Sequence, residues 1–269
     1  MLDRVLLLLV AACLALALFK LRTSSSVSPE PAQVVSERVK QPYDAFLVLD
    51  VEATCQIDST FDYPNEIIEF PVCLMRWKDS QKQHLEIVDE FHSFVKPTWR
   101  PTLSQFCTEL THITQDQVDN APEFPAVLRS VRQFLVNHGI IEKNGKRRIR
   151  FIWASDGPFD IRDFIIKQCY ISKIPIPDWM TSDVLDVRAA VAAHIKPSYH
   201  ERPFNIPAQL SILGLSPFQG RLHSGIDDAR NISRIVAKLA SAEVPLLPNT
   251  AINVRRRWYW MGRSGQIKL

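Results

Sequence analysis

The chain has 269 residues, a formal net charge of +3 and 46% hydrophobic residues, ordinary values for a globular protein with one full domain plus tails, or two small ones. So mild a charge neither demands nor excludes a polyanionic partner, and local clustering of basic residues has to decide. Five cysteines, odd in number and without a C-x-x-C pair, argue against a disulfide framework and a zinc module and read as buried reduced thiols.

Residues 5–19 are an unbroken apolar run between Arg4 and the pair Lys20 and Arg22. A spanning helix takes about 20 apolar residues, with a lower limit near 17, whereas a signal-peptide core takes about 7–15. Lys20 can snorkel, and no small-x-small cleavage site follows. Residues 1–22 are therefore expected to be a hydrophobic anchor or signal segment, with a membrane anchor favoured and a secretory or a cytoplasmic or nuclear protein as alternatives. Residues 23–43, serine-rich with Pro29, Pro31 and Pro42, read as a flexible linker.

The folded part begins near Tyr43 with Phe46-Leu-Val-Leu-Asp-Val-Glu52. This run is apolar on both alternating faces, as a central buried strand requires. Asp50 and Glu52 should share one face, about 6–7 Å apart. Spacing alone leaves two readings, a divalent-metal site or a strand end whose acids face water. A polar loop (56–64) precedes a long strand over 66–77 and its hairpin partner over 84–96, where Pro71 implies a bulge or an edge position. Helices are expected at 103–109, 114–118 and 123–137, the last from the spacing of Val127, Leu128, Val131, Phe134 and Leu135. A second buried strand starts at Phe151, followed by helices over 158–170, 181–193, 206–213 and 225–240. The fold class is α/β, a mixed sheet flanked by helices in a single domain.

Further acids line up with Asp50 and Glu52. Asp156 sits where an N-cap belongs, ahead of Pro158. Asp160, in the first turn, can face the sheet or merely complement the helix dipole; Asp163 is a third candidate, better placed for solvent. On the last helix Ser224 can cap, and Asp228 shares the apolar face of Ile232, Ile235, Val236 and Leu239. Asp227 instead heads a polar row with Asn231, Arg234 and Lys238. An acid on an apolar face needs a partner. His223, just before it, reads as an acid or base near neutral pH or as a structural loop histidine.

In that order, Asp50-x-Glu52, Asp160 and His223-x-x-x-x-Asp228 resemble the DEDDh 3′–5′ exonuclease superfamily, which includes ribonuclease T and polymerase proofreading domains. The words Asp-Val-Glu-Ala-Thr-Cys55, Asn-Glu-Ile-Ile-Glu-Phe-Pro71, Leu-Thr-His-Ile-Thr-Gln-Asp-Gln-Val-Asp119 and Ser-Asp-Gly-Pro-Phe-Asp160 are similar to the histone-mRNA 3′-end and small-interfering-RNA exonuclease branch. The resemblance implies a ribonuclease H-like exonuclease domain over 44–243, followed by a basic and aromatic tail at 244–269. The first 44 residues depart from it, being too short and apolar for the upstream SAP module of some relatives.

Oxygen-only ligands suit Mg²⁺ or Mn²⁺, and a pair of such ions supports in-line phosphodiester hydrolysis. The resemblance implies that Asp50 bridges two ions, that Glu52, Asp160 and Asp228 complete the cage, and that His223 deprotonates the water. His223 and Glu52 are thus the catalytic candidates, and the product is a nucleoside 5′-monophosphate. The expected partner is a single-stranded RNA 3′ end, with DNA as the alternative. Phe159, Leu110 and Ile113 can clasp the terminal base or pack in the core, and the amides of Ala53 and Thr54 would meet the terminal sugar. Residues 146–150 and 255–260 are basic patches that can track phosphates or simply be solvated; in the tail, arginines beside aromatics suit nucleic acid or a membrane interface equally. The rival to an enzyme is a non-catalytic RNA-end-binding module.

Overall fold

Alternation lays out the central strand. In β1 (Ala45–Val48) Phe46 and Val48 bury on one face of the sheet and Ala45 and Leu47 on the other, the two-residue period of an extended chain. The computed structural model describes residues 39–195, 205–263 and 265–268, and the chain from Val39 onward forms one compact unit. The predicted anchor and most of the predicted linker lie outside the described residues. Among the described residues no helix is long and apolar enough to cross a membrane.

The mixed sheet runs β4 (Leu85–Phe94), β3 (Ile67–Trp77), β1, β5 (Phe151–Ser155) and β6 (Val184–Asp186), with β2 (Glu52–Ala53) continuing the line of β1 along β3. β3 is antiparallel to β1 and β4, while β1, β5 and β6 are parallel. Three short and medium helices, α1 (Gln105–Thr111), α2 (Gln115–Asp119) and α3 (Phe124–Asn137), precede β5. After it, a π-helical turn (Asp160–Ile165) runs into α4 (Ile166–Ile171), then α5 (Asp178–Thr181), α6 (Val187–His194), α7 (Ile206–Ile212) and α8 (Gly225–Ser241). α3 and the π turn cover one face; α6, α7 and α8 cover the other. Where a helix over 181–193 is expected, the chain forms β6 and then α6. The run Val184-Leu-Asp186 is too short to show a period of its own, and its strand state comes from parallel pairing with β5. Among the described residues the thiols of Cys73, Cys107 and Cys169 are buried and that of Cys55 is half-buried, none of them in a disulfide; Cys13 lies outside the described residues.

Pro71 is neither at an edge nor at a bulge. β3 is an interior strand, and its register shift against β4 falls at Leu74 and Met75. Val48 pairs with Cys73 and Glu52 with Glu69, so the same register sets Asp50 opposite Pro71. The carbonyl of Ile68 turns toward the β4 side, accepting from Val95; by alternation, residue 71 turns its nitrogen toward Asp50. Proline has no N–H to give. The ladder is interrupted there, and the carbonyl of Asp50 instead lies against Gly225, where a Cβ would stand 2.5 Å from that oxygen. Gly225→Ala is therefore expected to cost about 1–3 kcal/mol of stability through overpacking against the Asp50 carbonyl, which a denaturant melt checks.

Candidate active site

Leu49 and Val51 bury on the face opposite α8, so Asp50 and Glu52 point toward α8, as alternation predicts. The apolar stripe Ile232, Ile235, Val236 and Leu239 docks α8 on that face, and four residues before Ile232 the same stripe carries the buried Asp228. Carboxylate oxygens of Asp50, Glu52 and Asp228 lie within 4.8 Å of one another. Asp160 stands outside this threesome. It comes from the other side of the strand tip, on the π turn after β5, and its Oδ1 accepts the Val51 N–H at 2.9 Å. π turns of this kind recur at functional sites.

Burial and mutual repulsion raise the acids together. Desolvation, then the charges of Asp160, Asp228 and Glu52, push Asp50 well above the carboxylate range; desolvation and Asp228 do the same to Glu52. Asp160 and Asp228 are each pushed up to about 7, mainly by desolvation, against the pull of the Val51 amide on the first and the His223 and Ser224 amides on the second. Such a group holds its protons or a cation. All its donors are carboxylate oxygens, which fits a hard divalent ion.

A cleft of about 680 Å³ opens over these acids and is lined as well by Ala53, Leu110, Phe159 and His223. His223 is exposed, in a left-handed conformation (φ 58°). Partial burial of its ring and the Arg221 charge hold its imidazole below the ordinary 6.5, so it is neutral and proton-accepting at pH 7. Its loop is fixed by α8 itself: Asp227 accepts from the Arg221 amide at 3.0 Å, and Asn231 donates to the carbonyl of Gln219 at 2.7 Å. Asn231, a member of the polar row headed by Asp227, is thus buried.

Several expectations are corrected. Ser224 makes no side-chain cap for α8. Glu69 does that work, its buried carboxylate accepting from Gly225 at 3.0 Å and Ile226 at 3.2 Å, with His92 Nε2 at 2.8 Å. Asp156 does not cap its helix but pairs with Arg188 at 2.6 Å and accepts from Gln209 at 2.7 Å. Asp163 is buried rather than solvated and pairs with Arg162 and Arg256. Ile113 is packed with Ile68, Cys107 and Val118 and does not line the cleft. The Thr54 amide already donates to the Glu66 carbonyl at 2.8 Å, which removes it from any sugar contact. In the 146–150 patch Arg147 pairs with Asp183 and Arg150 with Asp44, at the end of β5 away from the acids. In the tail, Trp258 and Trp260 are buried and so closed to stacking on a ligand or a membrane.

A family profile described as an exonuclease, of the RNase_T type, matches residues 47–236. The chain belongs to this exonuclease family. The fission yeast 3′–5′ exonuclease eri1 is 40% identical over 236 residues, covering 82% of this chain and 74% of that protein. Human 3′–5′ exoribonuclease 1 is 34% identical over 197 residues, 73% of this chain and 52% of that one, so the chain spans about half the length of such mammalian relatives. Among solved structures, the nuclease domain of 3′hExo, a DEDDh family member bound to rAMP, superposes with a TM-score of 0.68 at 31% identity, over 78% of this chain and 98% of that one. A 3′-exonuclease recognising the histone mRNA stem-loop gives 0.69 at 30%, over 81% and 71%. The four acids and His223 all fall inside the exonuclease-family span.

Proposed function

We propose that this protein is a divalent-metal-dependent 3′–5′ exoribonuclease that trims single-stranded RNA ends to nucleoside 5′-monophosphates. The observation that carries the reading is the meeting of Asp50, Glu52 and Asp228 within 4.8 Å, in one cleft with Asp160 and His223. These four acids would hold two Mg²⁺ or Mn²⁺ ions, whose chemistry is to activate water and neutralise charge on the attacking and leaving oxygens.

The chain's own residues supply the rest. The Val51 amide orients Asp160, so this carboxylate is set before any ligand arrives. His223, neutral at pH 7, accepts the proton of the attacking water. Leu110 and Phe159 flank the place of the terminal base, and Ala53 underlies its sugar. RNA as substrate is supported by likeness to proteins named exoribonucleases and to one described as recognising a histone mRNA stem-loop.

The test is digestion of 5′-labelled RNA and DNA oligomers of one sequence with Mg²⁺, Mn²⁺ or EDTA. Stepwise shortening of RNA from its 3′ end, with 5′-monophosphates released and EDTA abolishing it, is expected. Faster digestion of DNA would move the substrate to that polymer. Tight RNA binding without cleavage under either ion would make the protein an end-binding module.

A further inference from the structure

The C-terminal segment lies beyond the exonuclease-family span, which ends at residue 236, yet it packs against one wall of the cleft. Trp258 and Trp260 are buried with Ile166 and Met261, their rings stacked at 6.3 Å. Trp260 Nε1 donates to the Asp62 carbonyl at 2.6 Å. From α4, the fully buried Lys167 donates through Nζ to the carbonyl of Phe61, to that of Tyr63 at 2.9 Å and to Asn65 Oδ1 at 3.2 Å. The same ammonium lies 5.2 Å from the Trp258 ring, and Arg256 pairs with Asp163 one turn earlier on the same helical run. Loop 61–65 is therefore pinned through its backbone carbonyls by one buried cation and one tail indole.

What this pinned loop presents is an aromatic ring facing out. Phe61 is 55% exposed, and its ring stacks on Phe159 with centroids 4.5 Å apart and planes 14° from parallel. Both rings line the cleft that holds Asp50, Glu52 and Asp160. A phenylalanine left in water gives up the hydrophobic stabilisation of burial. The chain nevertheless orders the backbone beneath it with three charge-assisted or indole hydrogen bonds to its carbonyls. A flat ring held at a cleft edge, parallel to a second ring beside the acids, matches an unpaired base, which offers a π face whatever its identity.

We propose that Phe61 is a base-stacking residue for an unpaired nucleobase of the RNA end, and that the C-terminal segment, through Trp260 together with Lys167, is the device that positions it. This rests on the exonuclease reading of the same cleft. Trp260 is a positioning residue, acting through loop 61–65; Phe61 meets the substrate itself.

The experiment uses the full chain, the variants Phe61→Ala and Trp260→Phe and their double, and RNA carrying 2-aminopurine at the terminal or the next position. Loss of one stacked base is expected to raise KM about 5- to 50-fold in Phe61→Ala, with kcat within about twofold. Trp260→Phe keeps a ring but loses the N–H donor, and should raise KM in the same direction by about 3- to 10-fold. The double variant should be no worse than Phe61→Ala, because both act through one ring. Quenching of 2-aminopurine on binding should weaken in parallel. A merely structural tail would lower the melting temperature of Trp260→Phe and leave its KM unmoved, overturning the positioning role. Unchanged KM and quenching in Phe61→Ala, an exposed position that does not threaten folding, would overturn the whole inference. Wild-type protein that cleaves nothing but quenches, with quenching lost in Phe61→Ala, would sink the exonuclease reading and keep this one.

Discussion

Asp228→Asn is expected to remove nearly all exonuclease turnover while making the metal-free protein more stable near pH 8. Losing one of the carboxylates proposed to hold the metal ions forfeits several kcal/mol of transition-state stabilisation, which corresponds to about a 10³-fold fall in rate. Stability moves the other way. The Asp228 carboxyl is raised from an ordinary 3.8 to about 7 in the folded protein. Its contribution to stability is therefore intact below about pH 4 and is lost as pH climbs through about 7. At pH 8 without metal the wild-type protein carries that ionisation cost, on the order of 2–4 kcal/mol, and the asparagine variant does not. Thermal melts in EDTA should put the variant about 4–12 °C above wild type at pH 8 and level with it near pH 4. Added Mn²⁺ should stabilise wild type and hardly move the variant. Equal melting of the two proteins across that range would show that these acids are solvated and store no repulsion.

The second large effect belongs to a residue outside the proposed metal-holding acids. Glu69→Ala deletes the acceptor for the Gly225 and Ile226 amides and for His92, all at a buried carboxylate. Each buried donor left without a partner costs about 1–3 kcal/mol, so a loss of about 3–5 kcal/mol is expected in guanidinium unfolding. Activity should fall about 10- to 100-fold in addition, because the first turn of α8 carries Asp228 and follows directly on His223. Glu69→Gln keeps one acceptor oxygen and should recover most of the stability. An unfolding midpoint for Glu69→Ala at the wild-type concentration would mean that α8 is seated by its apolar stripe alone.

Much of the site is local in sequence, and that part is legible there. Alternation from Phe46 to Glu52 depends only on neighbouring residues, and the stripe from Asp228 to Leu239 repeats within one helix, so both orientations can be read before any fold is known. The partners of the buried polar groups are not local. Glu66 and Glu69 look like two charges interrupting an apolar strand. Yet Glu66 collects the amides of Thr98, Trp99 and Arg100, at 2.7–3.1 Å, and Glu69 reaches an amide 156 residues away. Asp156 reads as a cap because a cap needs only its own helix, and the ion pair that claims it lies on Arg188. Charge runs mislead for the same reason: Arg147, Arg150 and Arg256 all have carboxylates that composition does not reveal.

The amino-acid order by itself determined which side chains are acids, which face of each element they occupy, and that an α/β exonuclease domain would be built from them. Only the tertiary structure decided that Asp160 takes the Val51 amide while Asp50, Glu52 and Asp228 crowd together, that Pro71 opens the strand at Asp50, and that the tail's Trp260 bonds the backbone of loop 61–65. Side-chain periodicity is a property of one segment and survives in a string of letters. Repulsion, capping and bracing are properties of pairs of segments, and they exist once the chain has brought those segments within a few ångströms of each other.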